Sequence, residues 1–522
     1  MKHCYKWLSV TCFLFTLLGC SFHVPKDPEI LVEHIGAEPG TLNPITATDA
    51  YSAEVLSYVY ETLIELDNAT LEYKPLLAER WSISPDHLQY TFYLRRDAKW
   101  HDGVPFTSND VIYSYNKIQD PHVDAAVQRV SFRDVVKIEA PDKYTVRFTY
   151  RIPYFRALLV CGAIPIVPKH IFDNGRDFNS HPTGRAPVGT GPFVFREWKT
   201  KQKIVLERNL SYWKNVPDIK GIVYRIIEDS TVPFQELKKG EIDFAGIRPI
   251  QWERGTSSPS FNERFNKVEY YVPSFSYIGW NQKKAYFADK RIRHAMSMLV
   301  NKEAIREKLL FGHAVMVEGD QYIFGEAYDK NIKPDPYDPE AAKRLLDEAG
   351  WIDHDGDGVR DKDGVPFKFD FYYSAGSNFA AQIGTMLRED LSHVGIVMEL
   401  RGLEFNALTR VLDEKTFDAA TLGWTVPLEN DPYQLWHSSQ VAGGSNYISF
   451  NNAEADELIE TIRVEFDKSK RNKLFKQFQK ILHDEQPYTF LFNNASLVAY
   501  NKRFTNVKIY RLGVDIREWK VE

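Results

Sequence analysis

The stretch Leu422-Gly-Trp-Thr-Val-Pro-Leu-Glu-Asn-Asp-Pro-Tyr-Gln-Leu-Trp-His-Ser438 continues a largely apolar run of strand length, Phe417-Asp-Ala-Ala-Thr-Leu-Gly-Trp424. Asp431-Pro432 has the chemistry of a helix start, with aspartate as N-cap and proline at the first helical position. Pro427, Glu429 and Asn430 form a short loop between the two. A strand that ends in a polar loop and a helix N-terminus is where open α/β sheets hold ligands. Trp424, Thr425, Tyr433 and Trp436 would frame that spot with flat apolar surface and a few hydrogen-bonding groups. The stretch reads as the mouth of a binding cleft. The same residues also fit a simple cap at Asp431 with both tryptophans in the core.

Working outward, the bounds are those of a folded soluble protein with room for two or three domains: 522 residues, 43% hydrophobic and 26% charged. Aromatic residues make up 14%, which suits large cores or a stacking cleft. The net charge is −6 with no basic block, so nothing points to nucleic acid. Lys2, His3 and Lys6 precede an apolar run from Trp7 to Leu18. That run is short of the roughly 20 residues that span a bilayer and reads as a signal peptide. Of the cysteines, Cys4 and Cys12 would leave with residues 1–19. With Cys20 modified, Cys161 stands alone, so no disulfide framework or cysteine metal site is expected.

Leu88, Tyr90, Phe92 and Leu94 alternate with polar neighbours as a half-buried strand, and Tyr144 to Tyr150 repeats the pattern. Between them Thr107-Ser-Asn-Asp110 is a capping box ahead of an apolar helix. Residues 71–187 thus read as a strand-rich unit of their own. Gly189-Thr-Gly191 lacks the spacing of a phosphate loop and reads as a tight turn. After Tyr271 the rhythm becomes helix–strand alternation, with helix starts at Asp289 and Asp338-Pro339 and a return to strand near Glu485.

Catalytic motifs are missing: there is no Gly-x-Ser-x-Gly elbow, His-Glu-x-x-His or Walker loop. The reading is a non-enzyme without a cofactor. One metal-like run exists, Asp353, Asp355, Asp357 and Asp361, spaced like the first half of a calcium loop. Its twelfth position is Gly364 where a bidentate glutamate is needed, so a solvated turn is the favoured reading.

Further segments come in a familiar order. Leu77-Ala-Glu-Arg-Trp81, Tyr90 to Gly103 and Pro105 to Val111 form a signature-like region. Gly189-Thr-Gly-Pro-Phe193, Glu207 to Trp213, Trp280-Asn281, Asp289 to Ala295, Ala341 to Trp351, Asp431-Pro-Tyr433 and Asn451 to Leu458 follow. Over nearly the whole mature length the chain resembles the extracellular solute-binding proteins of oligopeptide/dipeptide ABC transporters. Leu17-Leu18-Gly19-Cys20 likewise resembles a bacterial lipobox, with Cys20 as the lipidated residue and 20–27 as a tether.

The resemblance implies a periplasmic-binding-protein-like type II α/β fold with two hinged lobes. The larger lobe would be 28–271 with 490–522, including 71–187 as an extra subdomain; the smaller would be 272–489. Hinges would lie near Val272–Trp280 and Gln486–Asn493. It implies a monomer held at the periplasmic or cell-surface side of a bacterial membrane, capturing peptides by lobe closure for a permease. Nickel or other metal complexes, haem and oligosaccharides are the alternative cargo. Cleft contributors would be Tyr51, Trp280, Asn281, Trp424, Thr425, Glu429 and Asp431. For Trp280 and Asn281, strand packing and a turn bond fit equally well. In peptide binders of this family an aspartate just after the Trp424-like position pairs with the peptide amine. Here Pro427 or Leu428 stands there, and Glu429 or Asp431 would have to substitute.

Overall fold

The computed structural model describes residues 27–522. The segment expected to be a signal peptide, residues 1–19, and Cys20 lie outside the described residues. Among the described residues no helix is long and apolar enough to cross a membrane. Two sheets build one half of the molecule. In the first, Ile30–Ile35 pairs in parallel with Gly221–Ile226, which is followed by Lys203–Arg208 and Phe193–Lys199. In the second, Ser496–Asn501 lies between Phe244–Gly246 and Phe265–Tyr270. A separate antiparallel sheet carries Ala78–Ile83, Gln89–Leu94, Thr145–Tyr150 and Val135–Asp142. Tyr90, Phe92, Val146 and Phe148 of this sheet share a core with Leu31, Val55 and Trp519 of the first half.

The other half is organised by a five-stranded mixed sheet in the order Val397–Leu403, Lys368–Ser374, Ala419–Thr425, Ser274–Trp280, Tyr488–Phe490. Its two faces carry two cores, one around Trp280, Phe287 and Phe369, the other around Trp436, Phe478 and Tyr488. These cores draw on residues from Phe275 to Phe492, slightly beyond position 489, because Leu491 and Phe492 are fully buried in the first of them. The chain crosses between halves twice, and Asn493 ties the crossings together. Its side-chain amide donates to the carbonyl oxygen of Val272 at 2.7 Å.

Helix starts follow their local chemistry. The Asp338 carboxylate accepts the Ala341 N–H at 2.9 Å, with Pro339 at the first helical position. Asp110 accepts the Thr107 N–H at 2.9 Å, closing the capping box. Gly189-Thr-Gly191 is not a tight turn. It packs backbone-on-backbone against the end of the helix Ala50–Val59: a Cβ on Gly189 would lie 1.8 Å from the Val59 carbonyl oxygen. Only glycine permits that approach.

The expected cleft roles of Trp280 and Asn281 give way to structural ones. Trp280 is 0% exposed, packs against Phe287, and donates from Nε1 to the Thr489 hydroxyl at 3.0 Å. Asn281 is also buried, and its amide donates to the carbonyl oxygens of Lys415 and Phe417. Trp280→Phe will remove the indole bond, strand the Thr489 hydroxyl and leave a small void, destabilising the protein by about 1–3 kcal/mol. Urea unfolding of the ligand-free protein measures this; normal stability with lost ligand affinity would return Trp280 to the cleft.

Candidate functional site

The strand Ala419–Thr425 delivers Trp424 to the site. Ser274–Trp280 covers one of its edges along the whole length, from Ser274 opposite Thr425 to Trp280 opposite Ala419. On the other edge Lys368–Ser374 pairs only at Phe371–Ala419 and Tyr372–Ala420. From Thr421 onward no strand among the described residues covers that edge. Lys368–Ser374 stays paired with Val397–Leu403 over its full length and diverges from its other neighbour. A cavity of about 430 Å³ occupies the gap, with Leu422, Gly423 and Trp424 in its wall. The Trp424 ring stacks on Tyr447, with ring centres 6.1 Å apart and planes 18° apart.

Beyond Trp424 the chain enters the Pro427–Asp431 loop. Here a second space of about 270 Å³ is bounded by Trp424, Thr425 and Asp431 on one side and by Arg133, Tyr154 and Arg156 on the other. Trp424, Thr425 and Asp431 are therefore brought together, at a junction of the two halves. The Tyr154 hydroxyl donates to Asp431 Oδ2 at 2.9 Å, and Arg463 Nε donates to the same oxygen at 3.1 Å. Close by, the Phe155 N–H donates to the Arg463 carbonyl oxygen at 2.9 Å, and His87 stacks on Phe466 with ring centres 3.7 Å apart.

The helix after the loop is a single turn, Tyr433–Trp436, starting one residue later than Asp431-Pro432 suggests. Asp431 Oδ1 accepts the Tyr433 N–H at 3.0 Å, so the N-terminal donor is satisfied from within and offers nothing to an anion. Trp436 is buried, and its indole N–H donates to Asp320 at 2.9 Å. Asp320 also accepts from the amide of Asn430, which fixes the loop from beneath. Burial lifts the Asp320 carboxyl to about 6, against the pull of these donors.

Glu429 does not line the space beside Trp424. Both its carboxylate oxygens accept from Arg471 Nη2, at 3.0 and 3.1 Å, and that arginine side chain is 7% exposed. Each loop carboxylate expected to meet a peptide amine therefore already holds an arginine. Prising one away would leave a partly buried guanidinium unpaired, which is strongly unfavourable.

Tyr51 lines neither of the two spaces beside Trp424. It borders a space of about 540 Å³ together with Glu33, His34, Glu54 and Arg248. Its hydroxyl rests over Gly36, where an added Cβ would sit 2.8 Å from it. Burial and repulsion from Glu54 push the Glu33 carboxyl well up. Burial raises Glu54 as well, though the exposed surface it keeps softens that rise.

In the candidate calcium loop, ligand atoms of Asp353, Asp355 and Asp361 lie within 4.8 Å of one another, while Asp357 stands outside the group. Asp353 accepts the N–H groups of Gly356 and Gly358, and Asp361 accepts from His354. The loop's own donors bond these carboxylates and shape the turn. Cys161 is the free cysteine of the described residues, and burial pushes its thiol up, away from reactivity.

Sequence reasoning missed Tyr154, Arg156, Phe379 and Phe405. The first two sit 277 and 275 positions before the loop acid Asp431, in irregular chain, and carried no readable signal. Phe379 and Phe405 were legible: each lies in the first turn of a helix that follows a strand of the central sheet, where open sheets keep their ligand contacts.

Comparison with known proteins agrees with this geometry. Residues 72–446 match the family described as bacterial extracellular solute-binding proteins, family 5. The oligopeptide-binding protein AppA of Bacillus subtilis is 31% identical over 494 residues, covering 91% of this chain and 88% of AppA. The structure of AppA with a nonapeptide superposes with a TM-score of 0.82 at 29% identity, covering 94% of this chain and 99% of that one. NikZ of Campylobacter jejuni, in complex with Ni(L-His), also gives a TM-score of 0.82, at 25% identity and covering 95% and 100%. Heme-binding protein A of Haemophilus influenzae is 28% identical over 484 residues, covering 87% of this chain and 84% of its own. These likenesses carry the two-lobe type II fold, and the function they share is binding rather than catalysis. The chain belongs to the family 5 bacterial extracellular solute-binding proteins and is a solute-binding protein of the ABC importer class, not an enzyme.

Proposed function

We propose that this protein captures peptides by closing two lobes around them and delivers them to a membrane permease, tethered to the bacterial surface through a lipid on Cys20. The observation that carries the peptide reading is the open edge of Ala419–Thr425 from Thr421 onward. An extended peptide can add itself there as a strand, taking its affinity from main-chain hydrogen bonds. Main-chain recognition tolerates many sequences, as an importer of mixed peptides requires. The AppA complex with a nonapeptide supports the same reading.

The lobes of this proposal are 28–271 with 490–522, and 272–489, hinged where Asn493 joins the crossing segments. Ligand contacts with both lobes select the closed arrangement. The Tyr154–Asp431–Arg463 contact forms across the same junction and adds to closure. Trp424, Thr425 and Tyr51 are the cleft residues of this reading; Glu429 and Asp431 act by holding the loop in place. A second reading, a non-peptide solute such as a metal complex or haem, is favoured by one observation: the loop has no free carboxylate for an α-amine.

Calorimetry with a mixed peptide library tests the cargo class; heat with peptides is expected, and heat only with a chelate or a sugar would favour the second reading. Trp424→Ala will lower peptide affinity by on the order of tenfold or more, through the loss of one buried aromatic contact, while leaving the ligand-free protein folded. N-acetylation of a bound peptide will change affinity by less than about fivefold, because a surface pair is worth about 1 kcal/mol or less and here the loop acids are already taken. Tyr154→Phe will weaken binding by about threefold to tenfold, the net worth of one ordinary hydrogen bond that forms on closure. Unchanged affinity would detach Tyr154 from closure. Cys20→Ala will release the protein from the membrane fraction; continued membrane association would count against the lipid tether.

A further inference from the structure

The cavity beside the open strand edge differs in chemistry from the rest of the cleft. Its walls include Phe379, Ile383, Phe405, Leu412, Leu422 and Trp424, completed by Tyr447 and by uncharged polar residues. No aspartate, glutamate, lysine, arginine or histidine lines it. The neighbouring space around Asp431 holds three arginines and two aspartates, so the change is abrupt. At about 430 Å³ the cavity falls in the range, about 300–1,000 Å³, that holds whole small ligands. Phe405, a large apolar side chain in this wall, is 55% exposed.

We infer that this cavity receives one bulky uncharged apolar side chain of the cargo, aromatic or branched aliphatic, and that it rejects charged side chains and a terminal carboxylate. The inference rests on the peptide reading above and deepens it. Side chains of a strand alternate in direction, so a peptide added to the edge at Leu422–Trp424 turns every second side chain toward one face. The cavity lies against that edge and receives one of those side chains. An aromatic or leucyl group entering it leaves water for Phe379, Ile383 and Leu412. A lysine or aspartate entering it loses hydration and meets no counter-charge, which is heavily unfavourable. For the same reason a dipeptide whose carboxylate fell here would not be held. The cargo therefore continues past the cavity, with its main chain along the edge and its charged ends elsewhere.

The full secreted chain is titrated calorimetrically with pentapeptides in an alanine background, with phenylalanine, leucine, lysine or aspartate placed at each position in turn. At one position the phenylalanine and leucine peptides will bind on the order of tenfold to a hundredfold tighter than the charged ones, the worth of burying one such side chain. Thr409 supplies the control. It lines the cavity from the helix Phe405–Asp413 and its hydroxyl bonds only within its own turn, so Thr409→Asp adds a charge without disturbing the core. That variant will erase the apolar preference while keeping the wild-type melting temperature.

Peptides that bind with no position-specific apolar preference, or a preference untouched by Thr409→Asp, would overturn the inference and leave the peptide reading standing. If no peptide binds at all, the peptide reading falls, and the cavity is judged alone with uncharged N-phenyl-1-naphthylamine. A saturable fluorescence rise weakened at least about tenfold by Thr409→Asp sustains an apolar site; no rise, or an equal rise in both proteins, overturns it.

Discussion

The run from Tyr488 to Asn501 constrains everything else, because it belongs in turn to three sheets. Tyr488–Phe490 is the edge strand of the five-stranded sheet; Phe492–Asn494 pairs with Ala314–Met316; Ser496–Asn501 is the central strand of a sheet in the other half. Within this run the Leu491 N–H donates to the Ser276 carbonyl oxygen at 2.9 Å, and the Asn493 amide reaches back to Val272. Both crossings of the chain are thus held side by side by main-chain and amide bonds. Bonded in antiparallel register, the two crossings resist sliding and separation. In the two-lobe reading proposed above, this run is the line about which the halves open and close. The far contacts, Tyr154 on Asp431 and His87 on Phe466, join the two halves away from the crossings, where the proposed closure would make and break them.

The second constraint is electrostatic. Glu429, Asp431 and Asp320 crowd into one loop and the residues beneath it, and each is satisfied from within the protein: Arg471, Arg463 with Tyr154, and Trp436 with Asn430. Such a network is rigid when complete, since every missing partner leaves a buried charge or dipole. The bonds made within the loop's own half, Glu429 to Arg471, Asp431 to Arg463 and Asp320 to Trp436, therefore shape it before any cargo arrives, and the ordering penalty of binding falls. The same completeness removes its charge from recognition. What remains to grip a ligand is the open strand edge, the Trp424 ring and the cavity walls, all of which read shape and main chain.

The sequence carried the periodic parts of this architecture well. Alternation at Tyr90, Phe92 and Leu94, the cap at Asp338 and the capping box at Thr107–Asp110 are local signals, and local chemistry decides them. Trp424 at the end of a strand was legible for the same reason. Trp280 was not, because a tryptophan at a strand terminus faces the core or the cleft according to which neighbours the sheet brings to it, and Phe287 and Thr489 come from distant chain. Nor could spacing show that Glu429 and Asp431 were taken: Arg471 and Arg463 lie 42 and 32 positions away on later helices. Gly189 misled because a glycine needed for close approach to Val59 and a glycine needed for a turn look alike in one sequence.

The position of the cavity follows from strand order. Lys368–Ser374 is succeeded on one side by Val397–Leu403, while the next strand, Ala419–Thr425, is laid down on its other side. Where the order reverses, the connections leave in opposite directions and a crevice opens beyond the strand ends. The helices Asn378–Ser392 and Phe405–Asp413 begin there, and their first turns bring Phe379 and Phe405 to the rim. The crevice is a property of the topology, whereas its lining belongs to a few first-turn and strand-end side chains that carry little of the fold's stability. Thr409 and Phe405 lie outside the core of Trp280, Phe369 and Phe371 that holds the sheet together, and can be replaced without disturbing it. A common scaffold can therefore serve a nonapeptide in one protein and Ni(L-His) in another, and in this chain the lining is uncharged and largely apolar.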